Sequence, residues 1–171
     1  QKYASIWDNL PTAKPIVQPL PMEMMNQYEG LILYRTKLIG HKSGTLRVDE
    51  VHDYATVFLN GRYIGSIDRT LGQHSIDLPV SNVENPVLDI LVESMGRINF
   101  AAQMIDRKGI TDRVTLNGMT LMNWDAFNIP MSTEYVSKLK QTDTVRPGMF
   151  FKATIQLNKA GDCYIDMKDF T

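Results

Sequence analysis

The sequence predicts an all-β fold, an antiparallel β-sandwich, and three observations lead to this prediction. Short apolar runs recur between residues 28 and 121, with turn residues separating them. No run in this region has the helical period of about 3.6 residues. Two Asn-Gly pairs, at 60–61 and 117–118, each lie between apolar runs, which is a strong signal for a β-hairpin. Together these features favour a sandwich over an α/β fold.

The composition is that of a globular protein and excludes two classes of partner. Of the 171 residues, 43% are hydrophobic and 22% are charged, which allows a packed core. The formal net charge of −1 gives no basic surplus for a phosphate backbone, so we expect no nucleic-acid partner. The longest apolar runs, such as "LDILV" at 88–92, are far shorter than a membrane span, so we expect no membrane partner.

The predicted strands follow one another with turn residues between them. The clearest is the hairpin "ATVFLNGRYIGSID" at 55–68, because Asn60 and Gly61 tolerate the two positive φ angles of a type I′ turn. The stretch "LRVDEV" at 46–51 alternates apolar and polar residues, as a half-buried strand does. The other strands are predicted at 30–38, 74–80, 83–94 and 113–121.

The chain is predicted to have four parts. Residues 1–21 are proline-rich and are predicted to form a linker that lies along a surface. Residues 22–128 form the sandwich. Residues 129–148 form a connection that includes a helix candidate, "STEYVSKLK", at 132–140. Residues 149–171 are predicted to be the first strands of a second, truncated β-sandwich.

Apolar surface is expected where these parts lack partners. The second sandwich is predicted to begin with two strands, at 149–157 and 163–170, and such a pair has little stability alone. We therefore expect exposed apolar side chains there, in residues 1–21 and at Trp124. An open sheet edge can add a strand from another copy, so we expect self-association.

No pattern of carboxylates points to catalysis. A catalytic pair needs two carboxylates facing one cleft at a defined separation, and the spacing shows no sign of one. We expect strand-end and turn carboxylates that are solvated or paired with Arg97 and Arg107. The carboxylates considered are Asp53, Asp68, Asp89, Glu93 and Asp106.

No metal or cofactor site is predicted either. The histidines, at positions 41, 52 and 74, lack a metal-binding spacing. Cys163, in an apolar stretch without a histidine or asparagine nearby, is typical of a core residue rather than a nucleophile. No glycine-rich loop of the kind that cradles phosphates occurs.

One loop combines groups suited to sugar binding. The stretch "MGRINF" at 95–100 places Arg97 and Asn99, which carry planar hydrogen-bond donors, beside the ring of Phe100. Sugar hydroxyls can bind such donors, and a sugar face can stack on an exposed ring. The alternative is a corner between two strands, with Arg97 in a structural ion pair. Both interpretations stay open at this point.

Several stretches, in order, resemble the non-catalytic region of the family 35 β-galactosidases. They are "YEGLILYRTKL" (28–38), "VHDYATVFLNGRYIG" (51–65), "LDILVESMGRINF" (88–100) and "DRKGITDRVTLNG" (106–118). Residues 149–171 are similar to the opening of that family's last β-domain. The resemblance covers residues 22–171 and implies a jelly-roll sandwich of the galactose-binding-like class, joined to a second one.

The resemblance also implies a division of labour within a parent enzyme. That enzyme would be a retaining exo-β-galactosidase with two catalytic glutamates in an N-terminal (β/α)₈ barrel. This chain has neither the length nor the alternating pattern for such a barrel. We therefore expect an inactive accessory fragment that packs on the barrel and shapes its rim. The family often has Tyr and Gly where this chain has Phe100 and Ala101, so Arg97, Asn99 and Phe100 are the expected rim contacts.

Two other functions are compatible with the same sequence. One is an autonomous carbohydrate-binding module for galactosides, and the other is a pure protein-interaction domain, since this fold serves many roles. Family members that act on extracellular or lysosomal glycans imply an extracytoplasmic location, either periplasmic or secreted.

Overall fold

A computed structural model describes residues 2–159, 161–166 and 168 of the chain. The strands are β1 Lys2–Ser5, β2 Lys14–Ile16, β3 Leu31–Lys37, β4 Gly44–Val48, β5 Val51–His52, β6 Tyr54–Leu59, β7 Arg62–Asp68, β8 Ser75–Leu78, β9 Val87–Glu93, β10 Gly109–Ile110, β11 Val114–Leu116, β12 Met119–Thr120, β13 Trp124–Ile129 and β14 Met149–Lys152. The helix α1 is Thr133–Ser137, and short 3₁₀ helices lie at Ile6–Asp8, Met22–Met25, Arg69–Leu71 and Ala102–Met104.

Two antiparallel sheets form the sandwich. Among the described residues the larger sheet has six strands, in the order β2-β13-β3-β9-β6-β7, and the smaller has four, in the order β12-β11-β4-β8. Every neighbouring pair in both sheets is antiparallel. Two short antiparallel pairs, β5–β10 and β1–β14, lie outside these sheets. The predicted all-β antiparallel sandwich is thus confirmed.

The main core lies between the two sheets. Successive side chains of a strand point to opposite faces, so Ile32 and Tyr34 of β3 face inward and are fully buried. They belong to one cluster with Val57 of β6 and with Leu46 and Val114 of the smaller sheet. Tyr34 keeps its hydroxyl satisfied inside this core, because it donates to the Leu20 carbonyl at 2.6 Å.

A second core covers the outer face of the larger sheet. Leu33, Phe58 and Phe127 point away from the smaller sheet and are buried in a separate cluster. Ile6, from the proline-rich segment, is buried in it, and Tyr135 of α1 packs against it. Strand β1 of the same segment pairs with β14. Residues before and after the sandwich therefore meet on one face; the four-part division itself stays a prediction.

Both predicted Asn-Gly hairpins are present. Asn60 and Gly61 have φ angles of 51° and 75°, as a type I′ turn requires, and they join β6 to β7. Asn117 and Gly118, with φ angles of 51° and 81°, join β11 to β12. The helix candidate at 132–140 forms the shorter α1, where the Ser132 hydroxyl accepts a hydrogen bond from the Tyr135 N–H at 3.2 Å.

Two expectations are wrong. Trp124 is not exposed: it is 1% accessible, because it begins β13 in the main core and its indole N–H donates to the Leu121 carbonyl at 3.0 Å. The predicted strand over 149–157 ends at Lys152, where its pairing with the four residues of β1 ends. Residues 163–166 and 168 are not in a strand; residues 167, 169 and 170 of that prediction lie outside the described residues.

Within the described ranges, no helix has the length and hydrophobicity needed to cross a membrane.

Candidate functional site

Several strand ends converge at one end of the sandwich. The register pairs Glu93, the last residue of β9, with both Leu31 and Tyr54, the first residues of β3 and β6. Tyr54 also pairs with Asp68 at the end of β7. The segments that precede β3 and β6 and those that follow β7 and β9 therefore lie side by side. The 95–105 loop, which follows β9, belongs to this end.

A charged cluster of Asp53, Arg69, Asp106 and Lys108 lies beneath that loop. The Lys108 ammonium donates to Asp53 Oδ2 at 2.7 Å and to Asp106 Oδ2 at 2.6 Å. The Arg69 guanidinium donates to the other oxygen of each carboxylate, at 2.8 and 2.9 Å. Lys108 is only 2% exposed, so its charge is compensated inside the protein. Two carboxylates and two cations balance in the cluster.

The cations keep both carboxylates of the cluster ionised. Burial raises the pKa of Asp53, but hydrogen bonds from Lys108 and Arg69 outweigh burial and leave that pKa below its usual value. The same opposition, with the same outcome, lowers the pKa of Asp106. Neither group has the raised pKa that a general acid in glycoside hydrolysis needs. The cluster is therefore suited to holding structure rather than to proton transfer.

The cluster is tied to the 95–105 loop by two connections. The backbone N–H of Met95 donates to Asp53 Oδ2 at 3.0 Å, which attaches the start of the loop to the cluster. The Arg97 guanidinium donates to Glu23 Oε1 at 2.5 Å, to the Tyr28 carbonyl at 3.0 Å and to the Asp106 carbonyl at 3.3 Å. Arg97 thus forms the structural ion pair that the sequence offered as one alternative.

The outer side of the loop is apolar and open to solvent. Phe100 is 83% exposed, and Asn99 beside it is also exposed. The other large apolar side chains of the loop are exposed as well, and so are Met24 and Tyr28, whose segment binds Arg97 through Glu23 and the Tyr28 carbonyl. We call this set the exposed apolar patch: Met24, Tyr28, Met95, Ile98, Phe100, Met104 and Ile105.

The loop holds one residue in an unfavourable backbone conformation. Ala101 has φ 87° and ψ −179°, a region that L-residues rarely adopt and that glycine populates freely. The surrounding contacts must therefore offset the backbone strain at Ala101.

Of the five carboxylates that the sequence singled out, Glu93 is exposed at a strand end and Asp68 accepts from Thr70 in a turn, as expected, whereas the other three have partners other than those predicted. Asp53 and Asp106 pair with Lys108 and Arg69, not with Arg97 and Arg107. Asp89 pairs with Arg35 on the outer face of the larger sheet. Sequence reasoning missed Lys108 and Arg69 because nothing in "DRKGI" or "SIDRTL" indicates which charge turns inward.

The histidine nearest the cluster also serves structure. His52 Nδ1 lies 2.7 Å from the Arg107 carbonyl oxygen and 3.2 Å from Asp106 Oδ1, and its Nε2 lies 3.0 Å from Glu50 Oε2. In the part of the chain that the structure describes, no group of three or more His, Cys, Asp or Glu residues is arranged to hold a metal ion. Cys163, expected in the core, is exposed.

A concave surface lies beside the N-terminal strand β1. It is a groove of about 670 Å³ between α1 and the β1–β14 pair, lined in part by Tyr3, Val136, Leu139 and Phe151. The rings of Tyr3 and Phe151 meet edge to face at 5.4 Å. This groove has no charged cluster like the one beneath the 95–105 loop, and its wall includes the short strand β14.

Comparisons with known proteins identify the chain's family. The family model described as the first all-β domain of β-galactosidase matches residues 19–130. A β-galactosidase of Xanthomonas manihotis is 39% identical over 168 residues, which is 98% of this chain and 28% of that protein. Beta-galactosidase 1 of Dictyostelium discoideum is 31% identical over 173 residues, and these cover 90% of this chain and 26% of the relative.

The similarity extends to animal proteins but is always confined to a part of the relative. A β-galactosidase of Bos taurus is 35% identical over 127 residues, covering 72% of this chain and 19% of that protein. The chain thus spans about a quarter of the length of the first two relatives, 28% and 26%. With most of its sandwich inside the matched range, the chain belongs to the β-galactosidase family and carries that family's first all-β domain.

Proposed function

We propose that this chain is a non-catalytic accessory β-sandwich of a family 35 β-galactosidase, which packs on the catalytic barrel and shapes the rim of its pocket. The observation that carries the proposal is the exposed apolar patch on the 95–105 loop. Such a surface is typical of a site that a partner covers. The relatives are about four times longer than the part matched here, so the missing polypeptide is the natural partner.

In this proposal the parent enzyme hydrolyses terminal β-galactosides with retention, through two glutamates of the barrel. The chain itself performs no hydrolysis. The state of its carboxylates supports this part of the proposal: the pKa values of Asp53 and Asp106 are lowered by their cations. Asp89, whose pKa burial raises, is only 2% exposed and is covered by Arg35.

The loop residues would then divide their roles. Phe100 and Asn99 face outward, where a ring and an amide can contact the aglycone at the rim. The side chain of Arg97 remains 39% exposed, so its outer edge can reach the same rim although Glu23 and two carbonyls already bind it. We propose all three as rim contacts, and an extracytoplasmic location for the parent enzyme.

Two alternatives have an observation each in their favour. An autonomous module for galactosides would use the exposed ring of Phe100 as a stacking surface. A pure interaction domain, including one that self-associates, would use the groove of about 670 Å³ beside β14. Neither alternative needs the rest of the parent chain, so measurements on the isolated chain distinguish them from the accessory role.

The decisive experiment replaces the matching segment of the Xanthomonas manihotis β-galactosidase with this chain. Hydrolysis of a chromogenic β-galactoside is measured for the chimera, for the chimera with Phe100→Ala, and for the isolated chain. A matched control is Phe151→Ala, which removes another exposed ring, 66% accessible, outside the loop. We expect an active chimera, a several-fold higher KM for aryl galactosides with Phe100→Ala only, and no turnover by the isolated chain.

Three results would overturn the proposal or redirect it. Turnover by the isolated chain above that of a mock preparation would contradict the non-catalytic role. Equal kinetics for the Phe100→Ala and Phe151→Ala chimeras would show that the loop does not contact the substrate at the rim. Saturable binding of galactose by the isolated chain, lost with Phe100→Ala, would favour the autonomous module.

A further inference from the structure

The 95–105 loop has few restraints of its own. It contains the 3₁₀ helix Ala102–Met104, and its apolar side chains point into solvent rather than into a core. Ala101 has an unfavourable backbone conformation, so the loop would lower its energy by adopting a different one. A loop with these properties is expected to sample several conformations unless something outside it holds it. The restraint must therefore come from the end of the sandwich on which it lies.

The buried ammonium of Lys108 is placed to provide that restraint. Asp53 Oδ2 accepts from both the Lys108 ammonium and the Met95 N–H, so one carboxylate oxygen joins the lysine to the first residue of the loop. At the other side of the ammonium, Asp106 Oδ2 fixes the residue that follows the loop. Lys108 thus connects both ends of the loop through two carboxylates.

The backbone of Lys108 carries a second connection. Its N–H donates to both Glu23 carboxylate oxygens at 3.1 Å. Glu23 Oε1 also accepts from Arg97, the third residue of the loop. The Lys108 carbonyl accepts from the Met22 N–H at 2.8 Å. The lysine is therefore anchored to the Met22–Met25 helix and cannot follow the loop if the loop moves.

We propose that Lys108 is a positioning residue: its ammonium, held between Asp53 and Asp106, fixes both ends of the 95–105 loop and so presents Phe100 and its apolar neighbours to the partner in one shape. Only the use of the loop as a rim rests on the proposed function; the positioning itself is a property of the isolated chain. A preorganised loop does not have to be ordered at the moment of binding, which favours affinity.

The test measures loop order rather than stability. Backbone ¹⁵N order parameters of the full chain are compared between the wild type and Lys108→Met, under conditions in which both are folded. We expect the values for residues 95–105 to fall from about 0.85 to below about 0.6, while those of β3 and β9 do not change. Lys138→Met is the control, because it removes a lysine from an exposed pair with Glu134.

Other outcomes are equally informative. A folded Lys108→Met variant with unchanged order parameters in the loop would overturn the proposal, even if its melting temperature fell, because the lysine would then be merely structural. If Lys108→Met does not fold, the variant Asp106→Asn/Lys108→Met replaces it, since it removes one charge of each sign and leaves Asp53 paired with Arg69 and bound to the Met95 N–H. Loss of loop order in that variant supports the positioning role, and retained order overturns it.

These results separate the two proposals. The order parameters involve neither sugar nor barrel, so they can fail while the chimera experiment succeeds, or succeed while it fails. In the chimera, Lys108→Met is expected to raise KM in the same direction as Phe100→Ala if both proposals hold. If Lys108→Met disorders the loop but leaves the kinetics of the chimera unchanged, Lys108 does position the loop, and the loop is not part of the rim.

Discussion

Two buried carboxylate sites of this sandwich behave in opposite ways. Asp89, on the outer face of the larger sheet, is 2% exposed and accepts two hydrogen bonds from Arg35, at 2.6 and 3.2 Å. Burial raises its pKa more than Arg35 lowers it, so the pKa lies above the usual value. Asp53 and Asp106, each 8% exposed, have lowered pKa values.

The difference follows from the depth of burial and from the number of cationic donors. Asp89 has one guanidinium, which also lies over the Phe127 ring with its central carbon 5.5 Å from the ring centroid. Asp53 and Asp106 each bind two cations, Lys108 and Arg69. Burial penalises charge more at Asp89, which is 2% exposed, and only Asp53 and Asp106 have a second cation to offset that penalty. The ionised Asp53 can hold the 95–105 loop through the Met95 N–H, whereas Asp89 only pairs with Arg35 on the outer face of the larger sheet.

The comparison is most strongly tested by removing one cation from each site. Lys108→Met should lower the free energy of unfolding by about 3–5 kcal/mol, because it leaves two buried carboxylates short of a partner. Arg35→Met should cost less, about 1.5–3 kcal/mol, because Asp89 can take up a proton and its partner lies nearer the solvent. Urea unfolding at pH 7 measures both values.

The control for this pair is Lys138→Met, which breaks an exposed pair within one helix turn. Its loss of free energy should stay below about 0.5 kcal/mol. Equal losses for Lys108→Met and Arg35→Met would contradict the idea that donor number separates the two sites.

The pH dependence of two Asp→Asn variants should have opposite signs. A lowered folded pKa gives Asp53 a stabilising contribution that is present above the ordinary value of 3.8 and is lost as the pH falls through the folded pKa. A raised folded pKa gives Asp89 a contribution that is present below 3.8 and is lost as the pH rises through the folded pKa.

Asp53→Asn should therefore destabilise the chain by about 2–3 kcal/mol at pH 7, and this deficit should shrink toward pH 3. The deficit of Asp89→Asn should instead grow as the pH falls. Unfolding free energies of the wild type and both variants, taken at several pH values, give the two slopes. If the deficits of both variants change with pH in the same direction, the folded pKa values of Asp53 and Asp89 are not shifted in opposite directions.

The sheets were predictable from sequence because their signals are local. The hairpin about Asn60 and Gly61 needs only two residues that accept positive φ, and the alternation along 46–51 needs only one buried face. The exposure of Trp124 was predicted wrongly because the stretch "NWDAFNIPM" looks irregular, yet Trp124 pairs with Ile16 of β2 at the start of β13 and lies in the main core. The predicted strand at 149–157 is shorter because its partner β1 supplies four residues.

The candidate site was predictable only in its exposed part. The composition of "MGRINF" indicates a loop with donors and a ring, and that loop is where the patch lies. The charged cluster that holds it joins residues 53, 69, 106 and 108, which come from three separate segments. The pairing of β5 with β10 and of β6 with β7 brings them together, and no local pattern encodes either register.

Relieving the strain at Ala101 should have a smaller effect. Ala101→Gly removes a Cβ from a residue with φ 87° and should stabilise the chain by about 1 kcal/mol, after the greater freedom of glycine in the unfolded state is counted. Ala13→Gly, with a partly buried alanine outside the loop, is the comparison and should destabilise instead. A loss of stability with Ala101→Gly would mean that the loop is not strained at this residue.

The smallest effect is expected at Arg97, which lies at the edge of the charged region. Its pair with Glu23 is partly exposed, so Arg97→Met should lower the free energy of unfolding by about 0.2–1 kcal/mol. Because Arg97 still joins the loop to the Tyr28 and Asp106 carbonyls, we also expect faster amide exchange within residues 95–105. Arg47→Met, which breaks another exposed pair, with Asp49, should give a similar stability change without the faster exchange. If Arg97→Met costs as much as Lys108→Met, the restraint on the loop lies at its exposed side rather than in the buried cluster.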